Sequence, residues 1–153
     1  MAGIVVKSHV LPTVGRVDLV NEVLCADVLY SGVALNGGVG GLNVDAARTA
    51  LELGARIVWL PTAWSANHAS QARAAGVDRF VGQRVPGPDE ELPVARDGEV
   101  TARTQRIVDL VAEYDAALGT GHASPAAIDA VVDACADAGV TPLVNHPCFG
   151  VVD

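Results

Sequence analysis

Short apolar runs alternate with longer stretches of helical period along most of this chain. The runs at 4–8, 28–35, 56–60, 116–120 and 142–145 are too short for helices and rich in Val, Ile and Leu, so they read as strands buried on both faces. Between them lie helical patterns. From Val17 to Ala26, the residues Val17, Val20, Val23 and Leu24 fall on one face. A second helix runs from Asn43, a good N-cap, to Gly54, where a left-handed C-cap residue is expected. An Ala-rich helical turn ends near Gly76, a further helix covers Arg103–Tyr114, and the last covers Pro125–Ala138 behind Ser124 as N-cap.

Strands alternating with helices predict βαβ units and a parallel sheet, because right-handed crossovers are the common way to join such elements. The expected fold class is therefore α/β, with about five strands. Between 77 and 100 the pattern is lost. There Val85-Pro-Gly-Pro-Asp-Glu-Glu91 reads as an exposed loop and Asp97-Gly98 as a hairpin turn, which together make an irregular insertion within a single domain spanning 1–153.

Composition narrows the picture. Half the residues are hydrophobic and only 4% aromatic, so the core must be built from Val, Ile, Leu and Ala. A net charge of −8 with no basic cluster argues against nucleic acid and anionic lipid as partners, and no run approaches the roughly 20 apolar residues of a membrane span. No leader-like segment opens the chain, so a cytoplasmic protein acting on a small molecule is expected. Of the three cysteines, Cys25 and Cys135 lie in helical stretches and read as small buried hydrophobes. Cys148 follows His146 by two, but Pro147 intervenes and no orienting base is evident, which leaves a Cys–His nucleophile as a minor alternative.

All four histidines, His9, His68, His122 and His146, fall downstream of a strand-like segment. In parallel α/β proteins the carboxyl ends of the strands share the face where substrates and cofactors bind. Lys7 and His9 are two apart, so on an extended backbone they project the same way; they read either as a ligand pair or as a solvated lysine beside a capping histidine. His122 in Gly-Thr-Gly-His and His146 in Asn-His-Pro follow consecutive strands and read as metal ligands or catalytic groups. His68, with Asn67 and Trp64, is as well suited to holding its loop together as to touching substrate. The loop Gly37–Gly41 fails the dinucleotide spacing, since the third Gly of G-x-G-x-x-G would fall on Asn43, and it reads as a flexible loop over a pocket.

The order Val-Lys-Ser-His9, Trp-Leu-Pro-Thr62, Asp97-Gly, Gly-Thr-Gly-His122 and Val-Asn-His-Pro147 resembles the metal-dependent hydrolases of the amidohydrolase superfamily, more narrowly an uncharacterised bacterial branch of them. The resemblance implies a TIM-type βα barrel, present here in part. In it His122 and His146 match the metal-binding histidines after the fifth and sixth strands. It also implies a divalent metal, zinc before manganese, that activates water against an amide, ester or lactone-like bond. His9 and Lys7 complete the expected ligand set, while His68 and Asn67 are expected at the substrate. The superfamily's His-x-His on its first strand and Asp from its eighth have no counterpart in this sequence, so the chain is expected to be short of the full barrel at both ends, with exposed strand edges that favour a homo-oligomer. Two rivals stand beside this reading: a catalytically inactive binding or assembly module, and an open-sheet phosphate- or nucleotide-binding protein using the Gly-rich loop.

Overall fold

A computed structural model describes residues 3–148. Its elements are β1 (Ile4–Val5), α1 (Val14–Leu24), β2 (Leu29–Tyr30), β3 (Gly32–Ala34), α2 (Val44–Glu52), β4 (Ile57–Trp59), α3 (Ala66–Ala74), β5 (Arg79–Phe80), β6 (Gln83–Arg84), β7 (Ala95–Arg96), β8 (Glu99–Val100), α4 (Ala102–Glu113), β9 (Ala117–Gly119), α5 (Pro125–Ala138) and β10 (Thr141–Leu143).

Strands β3, β4, β9 and β10 form a parallel sheet in that spatial order. Only Ser31 separates β2 from β3, and its carbonyl accepts from Arg56 N at 2.9 Å while β1 pairs in parallel with β2 on the other side. Residues 29–34 thus act as one strand with a neighbour on each side, and the strands lie side by side in their chain order. The α/β class and the parallel pairing are as the sequence predicts.

Alternation along the strands separates two faces. Val33, Leu35, Val58, Leu60 and Leu118 point into the main core, where they meet Ala47, Ala50 and Leu51 of α2, Ile107, Val108 and Val111 of α4, and Ile128, Val131 and Cys135 of α5. The intervening residues Ala34, Ile57 and Trp59 form a separate small cluster to which no helix contributes. Helices therefore cover one face of the sheet, and the other is left to side chains of the strands themselves.

Trp59 dominates that second face, and two glycines make room for it. A Cβ on Gly32 would stand 2.6 Å from Trp59 Cζ3, and one on Gly119 would stand 2.2 Å from its Cδ1. The indole thus lies across the neighbouring strands β3 and β9. At 3% exposure it is the largest aromatic body the described residues bury.

Three expectations change. Helix α1 starts at Val14 and buries Val14 and Val17, but Val20, Val23 and Leu24 are 41%, 75% and 55% exposed. The helix packs on β2 at the margin of the sheet, so its apolar stripe outruns the surface available to cover it. Cys25 is exposed at the left-handed C-cap of α1, and only Cys135 is buried. Finally, the insertion is more regular than its sequence suggests. It holds two antiparallel hairpins, β5–β6 and β7–β8, the second turning at Asp97-Gly98 with positive φ at both residues as predicted. Among the described residues no helix is long and apolar enough to cross a membrane.

Replacing Gly119 with Ala forces a methyl into Trp59, and overpacking of this kind costs about 1–3 kcal/mol. Thermal unfolding followed by circular dichroism should show a lowered Tm, partly restored when Trp59→Leu is added. An unchanged Tm in Gly119→Ala would mean that the indole does not rest on β9.

Candidate functional site

The side chains that anchor the site sit just past the strand ends. Asn36, fully buried after β3, uses its whole hydrogen-bonding capacity there. Its Nδ2 donates to His9 O at 2.9 Å and to Thr62 Oγ1 at 2.8 Å. Its Oδ1 accepts from Thr62 N at 2.9 Å and Trp64 N at 3.3 Å. One amide thus ties together the segments leaving β1, β3 and β4. Thr62 Oγ1 in turn meets His9 Nδ1 at 2.8 Å and fixes that ring.

Ser65 does the same for the next pair. As N-cap of α3 its hydroxyl accepts from His68 N at 3.1 Å, and it donates to His122 O at 2.7 Å. His68 therefore sits in the first turn of a helix rather than in the loop that the sequence suggests. Gly121 brings β9 and β4 together: a Cβ there would meet Pro61 O at 2.2 Å, and its φ of +64° is one L side chains rarely adopt. His122 N then donates to Pro61 O at 3.1 Å. The Gly-Thr-Gly-His run is thus read by packing, with Gly119 under the indole and Gly121 against the neighbouring backbone.

The four imidazoles converge. His122, 1% exposed, is the hub: its ring centroid lies 4.9 Å from that of His68, 5.7 Å from that of His146 and 6.4 Å from that of His9. Lys7 sits beside them, with Nζ 5.0 Å from the centre of the Trp59 ring. Phe80, on the hairpin that the sequence leaves featureless, lies 4.5 Å from His68, 5.7 Å from His122 and 5.8 Å from His9, and so covers three of the rings. Gln83 of the same hairpin donates to His9 O at 2.9 Å. Asn67 is turned to its neighbours, its Nδ2 3.4 Å from His122 O and its Oδ1 accepting from Gln71.

Two constraints on protons follow. His68 Nδ1 and His122 Nδ1 are 2.8 Å apart, so one must donate and the other accept. While that bond stands the two neutral rings are opposite tautomers, and only one of them presents an Nε2 lone pair. The surroundings act in the same direction on all three inner rings, burial first in each case. Burial, then the neighbouring His68, Lys7, His146 and His9, pushes His122 down to about 3. His9 is lowered by burial and then by Lys7, His146 and His68, and His68 by burial. Burial also lowers Lys7.

Two further donors stand out. Trp59 Nε1 and Trp64 Nε1 are buried without an acceptor, each at a cost of about 1–3 kcal/mol. The Gly-rich loop, by contrast, is spoken for. The indole of Trp64 fills the space over Gly37, Val10 O lies over Gly38, and the amides of Val39, Gly40 and Gly41 all donate within the loop. Cys148 is exposed.

Among the described residues no group of three or more His, Cys, Asp or Glu side chains is disposed to hold a metal ion as it stands. Sequence reasoning picks out the four histidines and Lys7 but misses Asn36, Thr62, Ser65 and Phe80. For Asn36 the available signal was a polar residue directly after the strand run at 28–35; Thr62 and Ser65 stand farther beyond theirs.

These features define a parallel α/β protein with an imidazole cluster at the carboxyl ends of its strands. The chain matches over residues 1–153 a family described as a family of unknown function, DUF6282, and belongs to it. No curated protein and no solved structure matches.

The lowered histidines set the acid limb of stability. Below about 6.5 an unfolded chain protonates these rings while the folded chain does not, so stability is fully present above 6.5 and is lost as pH falls towards the His122 value of about 3. Each such ring contributes a slope of up to about 1.4 kcal/mol per pH unit. Urea midpoints measured on metal-free protein from pH 7.5 to 4.5 should therefore fall, and His122→Asn should flatten the curve. A midpoint independent of pH over that range would contradict the burial of these rings.

Proposed function

We propose that this chain forms part of a TIM-type βα barrel and that its strand ends carry the site of a metal-dependent hydrolase. Strands lying in chain order, with helices on one face only, support the barrel. The observation that carries the hydrolase reading is the convergence of imidazoles around the buried His122, whose ring is held free of protons, since only an unprotonated ring nitrogen ligates a metal.

The donor set suits a divalent cation in chemistry. Three imidazoles on one tetrahedral zinc have ring centroids roughly 5 Å apart, at metal–nitrogen distances of about 2.1 Å. The 5.7 and 6.4 Å separations of His122 from His146 and His9 exceed this, so the rings would have to close on the ion. His9, His122 and His146 would hold zinc or manganese; zinc bound there would lower the pKa of its water to about 7, supplying the nucleophile for an amide, ester or lactone-like bond.

The chain's own residues do the rest. A ligand nitrogen at His9 Nε2 requires Nδ1–H to donate to Thr62 Oγ1, a contact already made. Asn36 holds that threonine, and Ser65 holds the backbone of His122. His68, its Nδ1 facing His122, is placed to take and return a proton at that atom once His122 turns to the metal. Phe80 keeps bulk water from the three rings it touches. Exposed apolar residues of α1 and of the β10 margin, among them Val23 and Leu143, support self-association.

The inactive-module reading is favoured by one observation, the His68–His122 hydrogen bond, which closes the pocket on itself. Calorimetry with zinc chloride near neutral pH separates the two. The parent chain should bind about one zinc, His122→Ala/His146→Ala should bind none, and His68→Ala should keep most of the affinity. Hydrolysis of a panel of simple esters, amides and lactones should stop on chelation. If the double variant binds as the parent does, the metal reading is lost.

A further inference from the structure

Lys7 and Arg84 make the same contact in different settings, and the contrast identifies a ligand. Each cation lies over an indole face, Lys7 at 5.0 Å from Trp59 and Arg84 at 5.1 Å from Trp64. Each indole has a buried Nε1 with no acceptor. Arg84, however, is exposed and joined to Glu90 by two hydrogen bonds. Lys7 is half-buried and, among the described residues, forms neither an ion pair nor a hydrogen bond. The chain has 18 acidic residues, yet among the described residues the charges acting on the neighbouring His9 and His122 are those of Lys7 and other imidazoles.

A cation withdrawn from water without a counter-ion, beside a buried N–H without an acceptor, is a costly pair of groups unless something negative completes it. We infer that the pocket takes its substrate by an oxyanion, a carboxylate or phosphate group, bound between the Lys7 ammonium and the Trp59 indole N–H. The Lys7 ammonium stands over the same ring that carries this N–H, so one such group would answer both donors, and the rings of His9 and His122, near Lys7, would present the remainder of the molecule to the site proposed above. The inference names a substrate class for that site and rests on its being the binding pocket, though not on its holding a metal. The overall charge of −8 sharpens the selectivity, because an anion is repelled from the general surface.

The experiment uses the full chain after removal of metal by chelation. Sodium phosphate and sodium acetate are titrated in separate runs at constant ionic strength and pH 7.5, with sodium chloride as reference, and followed by calorimetry and by tryptophan fluorescence. One of the two oxyanions should saturate a single site, and which one does so assigns the substrate group. Lys7→Met and Trp59→Phe, the second of which keeps a ring but not the N–H, should each weaken binding at least tenfold. Arg84→Gln should leave it within twofold. Circular dichroism checks each variant for folding, and if Trp59→Phe does not fold, partial recovery in Lys7→Arg relative to Lys7→Met serves in its place. Binding of neither oxyanion above the chloride reference, or equal binding by Lys7→Met and the parent, overturns the inference. Zinc calorimetry is run alongside. Oxyanion binding without zinc binding upholds this inference and removes the metal reading, and the reverse result removes this inference alone.

Discussion

The carboxamide of Asn36 is the contact on which the site depends. Four hydrogen bonds from one buried side chain join the backbone leaving β1 to the backbone and hydroxyl that follow β4. A fully satisfied buried amide adds only about 0.5–1.5 kcal/mol per bond net, but each partner left unmatched would cost more than its bond contributed. The arrangement is therefore close to all-or-none. The position of His9 relative to Thr62 follows from it, and the position of the other rings relative to His9 follows from the sheet.

Sheet and site are coupled through small residues. Glycines at 32 and 119 admit the Trp59 indole onto the helix-free face, and Gly121 lets the segment beyond β9 lie against Pro61. The large indole and the small residues around it are one packing solution. It supplies an aromatic floor for Lys7 in a chain that has very few aromatic residues to spend.

Much of this was legible in the sequence, and the limits have physical causes. Strand positions, parallel pairing and the Asp97-Gly98 hairpin follow from local period and turn chemistry, and each appears within a few residues of its expected place. The gathering of His9, His122 and His146 at one end of the sheet follows from topology, because all three leave parallel strands in the same direction. What could not be read depends on distant partners. The α1 stripe of Val20, Val23 and Leu24 has the period of a buried face, yet burial is decided by what lies opposite, and nothing in the stripe records that. Asn36 looks like the start of a loop until the residues it bonds, 26 to 28 positions away, are in place. Phe80 stands in a stretch without period, and only the folded hairpin brings it to the rings.

That hairpin separates two kinds of change. Its turn, Val81-Gly82, is exposed, and its residues contribute nothing to the main core, whereas Phe80, the residue just before the turn, touches His9, His68 and His122. Lengthening, shortening or recolouring the turn alters the roof over the pocket while the strands, their glycines and the anchoring amide stay as they are. Selection on what enters the pocket can thus proceed in a few residues of surface chain, without passing through sequences that fail to fold.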